Sequence, residues 1–197
     1  EDLIADENMV VTVSNEGYIK RLPVSTYRKQ KRGGRGVSGM DTKDEDFVKD
    51  LFIASAHQYM LFFTNLGRVY WRKVHELPKM SRTARGRAMV NLLSLAGDET
   101  VTAFLPVRDL HEEDKFVFMV TKKGTVKKTA LKAYSNPRAN GIIALEIDKG
   151  DELMDVQLTS GSDNVLIATY KGMAIRFPET DARPMGRSEE RRVGKEC

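Results

Sequence analysis

The chain has 197 residues, of which 41% are hydrophobic and 30% charged, the balance of a folded soluble protein rather than a disordered one. Its longest apolar runs, such as residues 116–120, are five residues long and therefore too short for a membrane-spanning helix. The single cysteine excludes a disulfide framework and a cysteine-ligated metal site, and the formal net charge of +4 indicates no class of partner by itself.

Four short segments share the pattern Ser/Thr-x-x-Gly, and their glycines lie 50, 57 and 48 residues apart. Each segment follows an apolar run rich in β-forming residues and precedes a second short run of branched or aromatic residues. Two such runs joined by a tight loop predict a β-hairpin, in which the glycine supplies the positive φ angle. The predicted hairpin loops are Ser14–Gly17, Thr64–Gly67, Thr121–Gly124 and Thr169–Gly172.

A second marker, a pair of acidic residues, recurs out of phase with the hairpins. Glu45-Asp46, Asp98-Glu99 and Asp151-Glu152 are 53 residues apart, and each pair precedes a further strand-like stretch. We expect repeats that start near residues 1, 45, 98 and 151, each with several short strands. A repeat of this length is typical of propeller blades, which are roughly 40–50 residues long. The alternative is a β-sandwich in which the hairpins are similar by chance.

The basic residues are concentrated at one phase of the repeat. Seven basic residues and no acidic one lie in the run 18–40, and seven basic residues and one acidic one lie in the run 68–87. The run 122–138 has six basic residues and no acidic one. In stacked repeats, residues at the same position of each repeat lie on the same side of the stack. The three basic runs therefore predict a continuous positive band on one side. Such a band suits duplex DNA, which carries one negative charge per ~1.7 Å of helix axis. The alternative for any single run is an ordinary solvated face.

The most specific segment lies within the first basic run: Gln30, Lys31, Arg32, Gly33, Gly34, Arg35 and Gly36. Its glycines let the backbone approach phosphates closely, while its cations supply charge and forked hydrogen bonds. This heptapeptide resembles the signature box in the C-terminal domain of the bacterial DNA gyrase A protein. The segments around Thr64–Tyr70 and Thr121–Lys127 resemble that domain's blades, and the resemblance covers about residues 1–188.

The resemblance implies an all-β fold, a β-pinwheel (propeller-like) of repeated four-stranded blades. Because that family usually has six blades, we expect an incomplete ring of about three to four blades over residues 1–188. Residues 189–197 depart from the pattern and are expected to be a non-native tail, which leaves an open sheet edge. The implied function is wrapping of duplex DNA without sequence specificity, which enables ATP-dependent negative supercoiling by the parent enzyme.

The resemblance also assigns the site residues. The seven residues from Gln30 to Gly36 are the DNA-wrapping box on which wrapping depends. All the other basic residues of the three runs except Lys79 and Lys132 are assigned to a DNA-binding rim. The predicted rim cations are Lys20, Arg21, Arg28, Lys29, Arg68, Arg72, Lys73, Arg82, Arg85, Arg87, Lys122, Lys123, Lys127, Lys128 and Arg138.

No catalytic residue, metal site or cofactor is expected in this chain. His57, His75 and His111 share no metal-ligand spacing, and the acids of 44–46 are simplest as residues flanking a strand. The parent would be a type II topoisomerase that binds ATP and Mg²⁺ elsewhere. It would assemble from two gyrase A and two gyrase B proteins (A2B2) and work in the bacterial cytoplasm at the nucleoid. Trp71 and the pair Phe62-Phe63 are expected in the core rather than as base-stacking platforms.

Two other binding functions remain open at this stage. The chain could be the C-terminal domain of the topoisomerase IV C protein, which senses DNA crossings, although the intact box argues against this. It could also be a protein-binding propeller with incidental basic loops.

Overall fold

The computed structural model describes residues 3–27 and 46–187. Within these ranges the regular structure consists of thirteen β-strands and five 3₁₀ helices of three or four residues, with no α-helix. None of the helices in these ranges is long and apolar enough to cross a membrane. The 3₁₀ helices are Val24–Thr26, Val74–Glu76, Met89–Asn91, Leu131–Tyr134 and Glu179–Asp181. The prediction of an all-β chain is confirmed.

The chain forms two compact units. The first consists of Glu1–Leu61, Trp71–Ala96 and Pro106–Arg108. The second consists of Phe62–Tyr70, Gly97–Leu105 and Asp109–Cys197.

The first sheet contains four antiparallel strands in the order β3-β1-β2-β6. Val10 of β1 lies opposite Leu22 of β2 on one side and Ile53 of β3 on the other. Both Val10 and Leu22 are buried, and residues 9–14 of β1 are buried on both faces of the strand. The bounds are Asn8–Ser14 for β1, Tyr18–Pro23 for β2, Val48–Ser55 for β3 and Arg87–Ala88 for β6.

The second sheet has the same plan, with the order β10-β5-β4-β7. Its core contains the predicted aromatic residues: Phe62, Phe63 and Trp71 are all buried, so their assignment to the core is confirmed. Phe62 packs edge-on against Phe104 with ring centroids 5.7 Å apart. The bounds are Tyr59–Thr64 for β4, Arg68–Lys73 for β5, Val101–Val107 for β7 and Ile142–Ile143 for β10.

The third and fourth sheets have fewer strands within the described ranges. The third has the order β11-β8-β9, and the fourth is the hairpin of β12 and β13. Leu166 and Ile175 of the fourth sheet are exposed. The bounds are Phe116–Thr121 for β8, Val126–Ala130 for β9, Leu153–Thr159 for β11, Asn164–Ala168 for β12 and Ala174–Pro178 for β13.

The first three sheets combine residues that the acidic-pair spacing assigns to different repeats. The strand after each acidic pair joins the hairpin that precedes the pair, as β3 joins β1 and β11 joins β8. In the first two sheets a two-residue strand from beyond the next hairpin then adds to the far side, as β6 and β10 do. The sheets therefore divide the chain differently from starts at residues 45, 98 and 151.

Candidate nucleic-acid interface

The four hairpin loops have one shared geometry. In each, the glycine N–H donates to the carbonyl of the Ser or Thr three residues earlier, at 2.9–3.0 Å. The hydroxyl of that Ser or Thr accepts the N–H four residues further on, at 3.1–3.2 Å. The glycine φ angles lie between 76° and 85°, a region that L-residues avoid. The predicted hairpins and their positive-φ glycines are confirmed.

One carboxylate of each acidic pair is buried behind the preceding hairpin loop. Thr64 donates its hydroxyl to Glu99 at 2.7 Å. Asp46 accepts the Glu16 N–H at 3.0 Å, and Asp151 accepts the Lys123 N–H at 2.9 Å. The two sequence markers are thus out of phase because the acid of one repeat stabilises the loop of the repeat before it.

These bonds keep two of the buried acids ionised. Burial by itself would raise the pKa of Asp46, but hydrogen bonds from the Glu16 and Phe47 N–H groups and the Ser14 hydroxyl outweigh it and lower the pKa. The same balance lowers the pKa of Asp151. In the part of the chain that the structure describes, no group of three acidic, His or Cys side chains could hold a metal ion. Asp46 flanks a strand as expected, whereas residues 44 and 45 lie outside the described ranges.

Three predicted rim cations are buried, and this burial corrects their assignment to the rim. Lys20, Lys127 and Lys128 are 0%, 2% and 3% exposed. Lys20 donates to backbone carbonyls of residues 81, 82 and 84, and Lys127 donates to the carbonyl of residue 187. Lys128 forms a buried ion pair with Glu179, with Nζ 2.9 Å from Oε2. A phosphate cannot reach these ammonium groups while the loops above them stay in place.

Two further predicted rim cations are paired with acids. Arg85 forms an ion pair with Glu16, lies 3.8 Å from Asp46 and stacks 3.8 Å above the Tyr18 ring. Arg68 lies 3.8 Å from Glu99, also at partial exposure. Their charge is already compensated locally, so each would add less to phosphate binding than an unpaired arginine.

Three others support the chain locally while staying partly exposed. Arg21 donates to the carbonyls of residues 75 and 77, at 2.6 and 2.8 Å. Desolvation lowers its pKa from the usual arginine value, against the opposing charge of Glu7. Arg72 donates to the carbonyl of residue 92 at 2.7 Å. Lys73 donates to the carbonyl of residue 57 and lies 4.0 Å from the centre of the Tyr59 ring.

The exposed predicted rim cations lie in loops and at strand ends. Lys122 and Lys123 lie within the third hairpin loop. The Lys122 ammonium group is 4.0 Å from the Glu152 carboxylate, and Lys123 donates to the carbonyl of residue 149 at 3.2 Å. Arg87 begins β6, and Arg138 lies four residues before β10. Arg82 is partly exposed in the loop before Arg87. Arg28, Lys29 and the whole box Gln30–Gly36 lie outside the described ranges, so the box remains a prediction.

The sequence also contains a glycine marker that the hairpin and acidic-pair patterns leave unused. Gly86 and Gly141 have φ angles of 104° and 66° and precede the short strands β6 and β10. A Cβ on Gly86 would lie 2.8 Å from the Ile19 carbonyl oxygen, and one on Gly141 would lie 2.9 Å from that of Val69. Their recurrence 55 residues apart, each beside a basic loop, is a signal from which these strands could have been found.

A family model described as the DNA gyrase C-terminal domain, beta-propeller, matches residues 8–55, 58–108, 115–160 and 163–189. The chain belongs to this family. Each of the first three matched segments holds one hairpin and the strand after the acidic pair, which share a sheet in the structure. The two-residue strands β6 and β10 lie in the matched segment that follows the one whose sheet they join. The predicted resemblance is therefore confirmed.

Relatives and solved structures agree with membership of the gyrase C-terminal domain family. The chain is 48% identical to the DNA gyrase A protein of Halalkalibacterium halodurans and 50% identical to that of Staphylococcus aureus. Each alignment spans 188 residues, which is 95% of this chain. It spans 22% and 21% of those relatives' own length.

Among solved structures, the C-terminal domain of DNA topoisomerase IV is similar with a TM-score of 0.77 at 29% identity, over 93% of this chain and 55% of that one. A DNA gyrase A C-terminal domain gives a TM-score of 0.71 at 23% identity, over 91% of this chain and 57% of that one. This similarity shows a shared fold.

Proposed function

We propose that this chain binds and wraps duplex DNA without sequence specificity, as the C-terminal part of a DNA gyrase A protein. The observation that carries the proposal is the recurrence of exposed cations beside the fourth strands in a chain of this family. Arg87 begins β6 and Arg138 lies four residues before β10, and these two strands have the same place in the first two sheets. Lys122 and Lys123 add two exposed cations at the third hairpin loop.

We expect the chain to bind DNA through contacts with phosphates and through the shape of the duplex. The described residues contain no α-helix that could enter a major groove, and phosphate contacts carry no direct sequence information. Lysine and arginine on loops neutralise phosphates and release counterions whatever the base sequence. The chain should therefore prefer DNA sequences that bend easily.

In the parent enzyme, wrapping would present a DNA segment to a catalytic core outside this chain, always with the same handedness of crossing. That parent is proposed to be an ATP-dependent type II topoisomerase of two gyrase A and two gyrase B proteins, with ATP and Mg²⁺ bound elsewhere. It would work in the bacterial cytoplasm, in association with the nucleoid. This chain contributes DNA binding and no catalytic residue.

Gel retardation of a long linear duplex across a salt series tests the binding step. If the chain neutralises about six phosphates, its affinity should fall ~10³-fold between 50 and 200 mM salt. The control is an unrelated duplex of equal length, which should bind equally well. A shallow salt dependence, or binding to one sequence alone, would contradict the proposal.

A second candidate, the C-terminal domain of topoisomerase IV, is favoured by the TM-score of 0.77 with that solved structure. The two candidates differ in what the parent does with DNA. A full-length gyrase A protein that carries this chain should introduce negative supercoils into relaxed plasmid if the gyrase proposal holds. Relaxation and decatenation without supercoiling would favour topoisomerase IV. A protein-binding propeller would show neither salt-dependent DNA binding nor supercoiling.

A further inference from the structure

We propose that Lys20 is a positioning residue for DNA binding: its buried ammonium group holds the backbone of loop 79–87, so that the arginines of this loop meet phosphates in a fixed arrangement. The inference rests on the proposed DNA-binding function and deepens it. It assigns Lys20, which is 0% exposed, to the loop above it rather than to DNA.

Loop 79–87 is joined to strand β2 at both of its ends. At its start, residue 79 forms a parallel bridge with Arg21, and the N–H of residue 80 donates to the Arg21 carbonyl at 3.3 Å. At its end, Arg87 lies opposite Ile19 in the sheet. Lys20 stands between Ile19 and Arg21, so its side chain enters the loop from the strand that the loop crosses.

The Lys20 ammonium group has an acceptor for each of its three protons. It donates to the carbonyl of residue 81 at 3.0 Å, to that of residue 84 at 2.7 Å, and to that of residue 82. An ammonium group at 0% exposure is costly unless its donors are satisfied, so displacing the loop would leave this charge without partners. Loop and lysine therefore keep each other in place.

The loop presents arginines on this fixed backbone. Arg87 is exposed and Arg82 is partly exposed. Arg85, the third arginine, is held by Glu16 and the Tyr18 ring. A loop that is ordered before DNA arrives loses less conformational entropy on binding than one that orders on the DNA.

The same arrangement recurs in the third sheet. Lys127 stands third after Gly124, as Lys20 does after Gly17, and donates to the carbonyl of residue 187. Lys128 bridges residue 184 as Arg21 bridges residue 79. In the second sheet Arg68 donates to the carbonyl of residue 140, next to Gly141. A cation of the second hairpin strand thus binds the following basic loop in each of these sheets.

A double-mutant cycle on the whole chain tests the inference. Lys20→Met removes the ammonium group at similar length, and the Arg82→Ala, Arg87→Ala double variant removes the loop's charges. Lys20→Met should weaken binding of a linear duplex about 10-fold and reduce the salt dependence by roughly two phosphate equivalents. In the double-arginine background it should change the affinity less than twofold, because the loop then has no charge to position.

Lys79→Met is the matched control, because Lys79 is an exposed lysine at the start of the same loop. It should reduce the salt dependence by at most about one phosphate equivalent, and its effect should add to that of the arginine variants. If Lys20→Met is equally additive, or leaves DNA binding unchanged, the inference is wrong. If the wild type itself lacks salt-dependent binding, the proposed function fails instead.

Amine labelling of the wild-type chain keeps the inference testable should Lys20→Met not fold. Lys20 should resist an amine-reactive reagent with and without duplex DNA, whereas Lys79 should react in the free chain. Labelling of Lys20 in the free chain that DNA then prevents would identify a phosphate contact and overturn the positioning role.

Discussion

At the scale of single residues, the buried carboxylates have the clearest consequences. Asp46, Glu99 and Asp151 each lie behind a hairpin loop and accept hydrogen bonds from its backbone or its hydroxyl. A buried acceptor of this kind costs free energy if its partners are lost. These acids therefore join consecutive repeats more firmly than surface ion pairs could.

The lowered pKa values of Asp46, Asp151 and Glu179 predict loss of stability in acid. A carboxylate with a lowered folded pKa stabilises the fold fully above its unfolded pKa, and this contribution disappears as the pH falls through the folded pKa. The usual values are 3.8 for Asp and 4.5 for Glu, so the free energy of unfolding should drop below about pH 4.5.

Asp151→Asn isolates one of these groups in urea denaturation at pH 7 and pH 3.5. The variant should lose about 1–3 kcal/mol at pH 7, because it alters a buried, hydrogen-bonded acceptor. It should also lose less stability than the wild type on going to pH 3.5. The control is the exposed neighbour Glu152, because Glu152→Gln should have the unfolding free energy of the wild type at both pH values. Equal acid sensitivity of Asp151→Asn and the wild type would refute this role.

At the scale of elements, the short strands β6 and β10 depend on the glycines that precede them. Gly141 combines a φ angle of 66° with a Cβ position 2.8 Å from the Tyr70 ring and 2.9 Å from the Val69 carbonyl oxygen. Gly124 has a φ angle of 85° but no atom within 4 Å of its Cβ position. The two glycines therefore separate backbone strain from steric clash.

Gly141→Ala and Gly124→Ala should differ in thermal and urea unfolding. Gly124→Ala should cost about 1–2 kcal/mol from the left-handed backbone alone. Gly141→Ala should cost roughly 1–3 kcal/mol more, because the added methyl displaces β10 from Val69. Faster amide exchange in residues 142–143 should accompany this loss. Equal destabilisation of the two variants would show that the close approach is unimportant.

At the scale of the whole molecule, the arrangement of charge decides what the chain can bind. The net charge is only +4, yet the exposed cations Arg87, Lys122, Lys123 and Arg138 stand in loops and at strand ends. The predicted box Gln30–Gly36, which lies outside the described ranges, would add three cations to this set. Wrapping needs such groups along the path of the duplex, because smooth bending of DNA costs free energy that contacts must repay.

Alanine at Lys31, Arg32 and Arg35 together should abolish bending of a DNA fragment and leave the fold intact. Bending is measured from the distance between dyes on the two ends of the fragment, and folding from the unfolding midpoint. A charge-matched control replaces three exposed cations outside the predicted rim: Lys49, Arg108 and Lys149. This control should bend DNA nearly as the wild type does. Bending that survives in the box variant would mean that another segment wraps the DNA.

Several features were predictable because they depend on local physics. The Ser/Thr-x-x-Gly loops need a positive φ angle that the sequence displays directly as a glycine, and the flanking runs have strand composition. The burial of Trp71 follows from its place among branched residues in a strand. The third and fourth strands were harder to place, because in the first sheet they pair across 34 to 70 residues of chain and because β6 and β10 are two residues long.

By itself, the sequence determined the all-β class, the hairpins, the core aromatics and the family, since each depends on spacing or on a short motif. Only the tertiary structure decided which cations face solvent. Lys20, Lys127 and Lys128 have the same basic character as Arg87 and Arg138, yet they are buried. The reason is physical: the two faces of a hairpin strand are equivalent until another segment covers one of them. For Lys20 and Lys127 that segment comes from about 60 residues later in the chain.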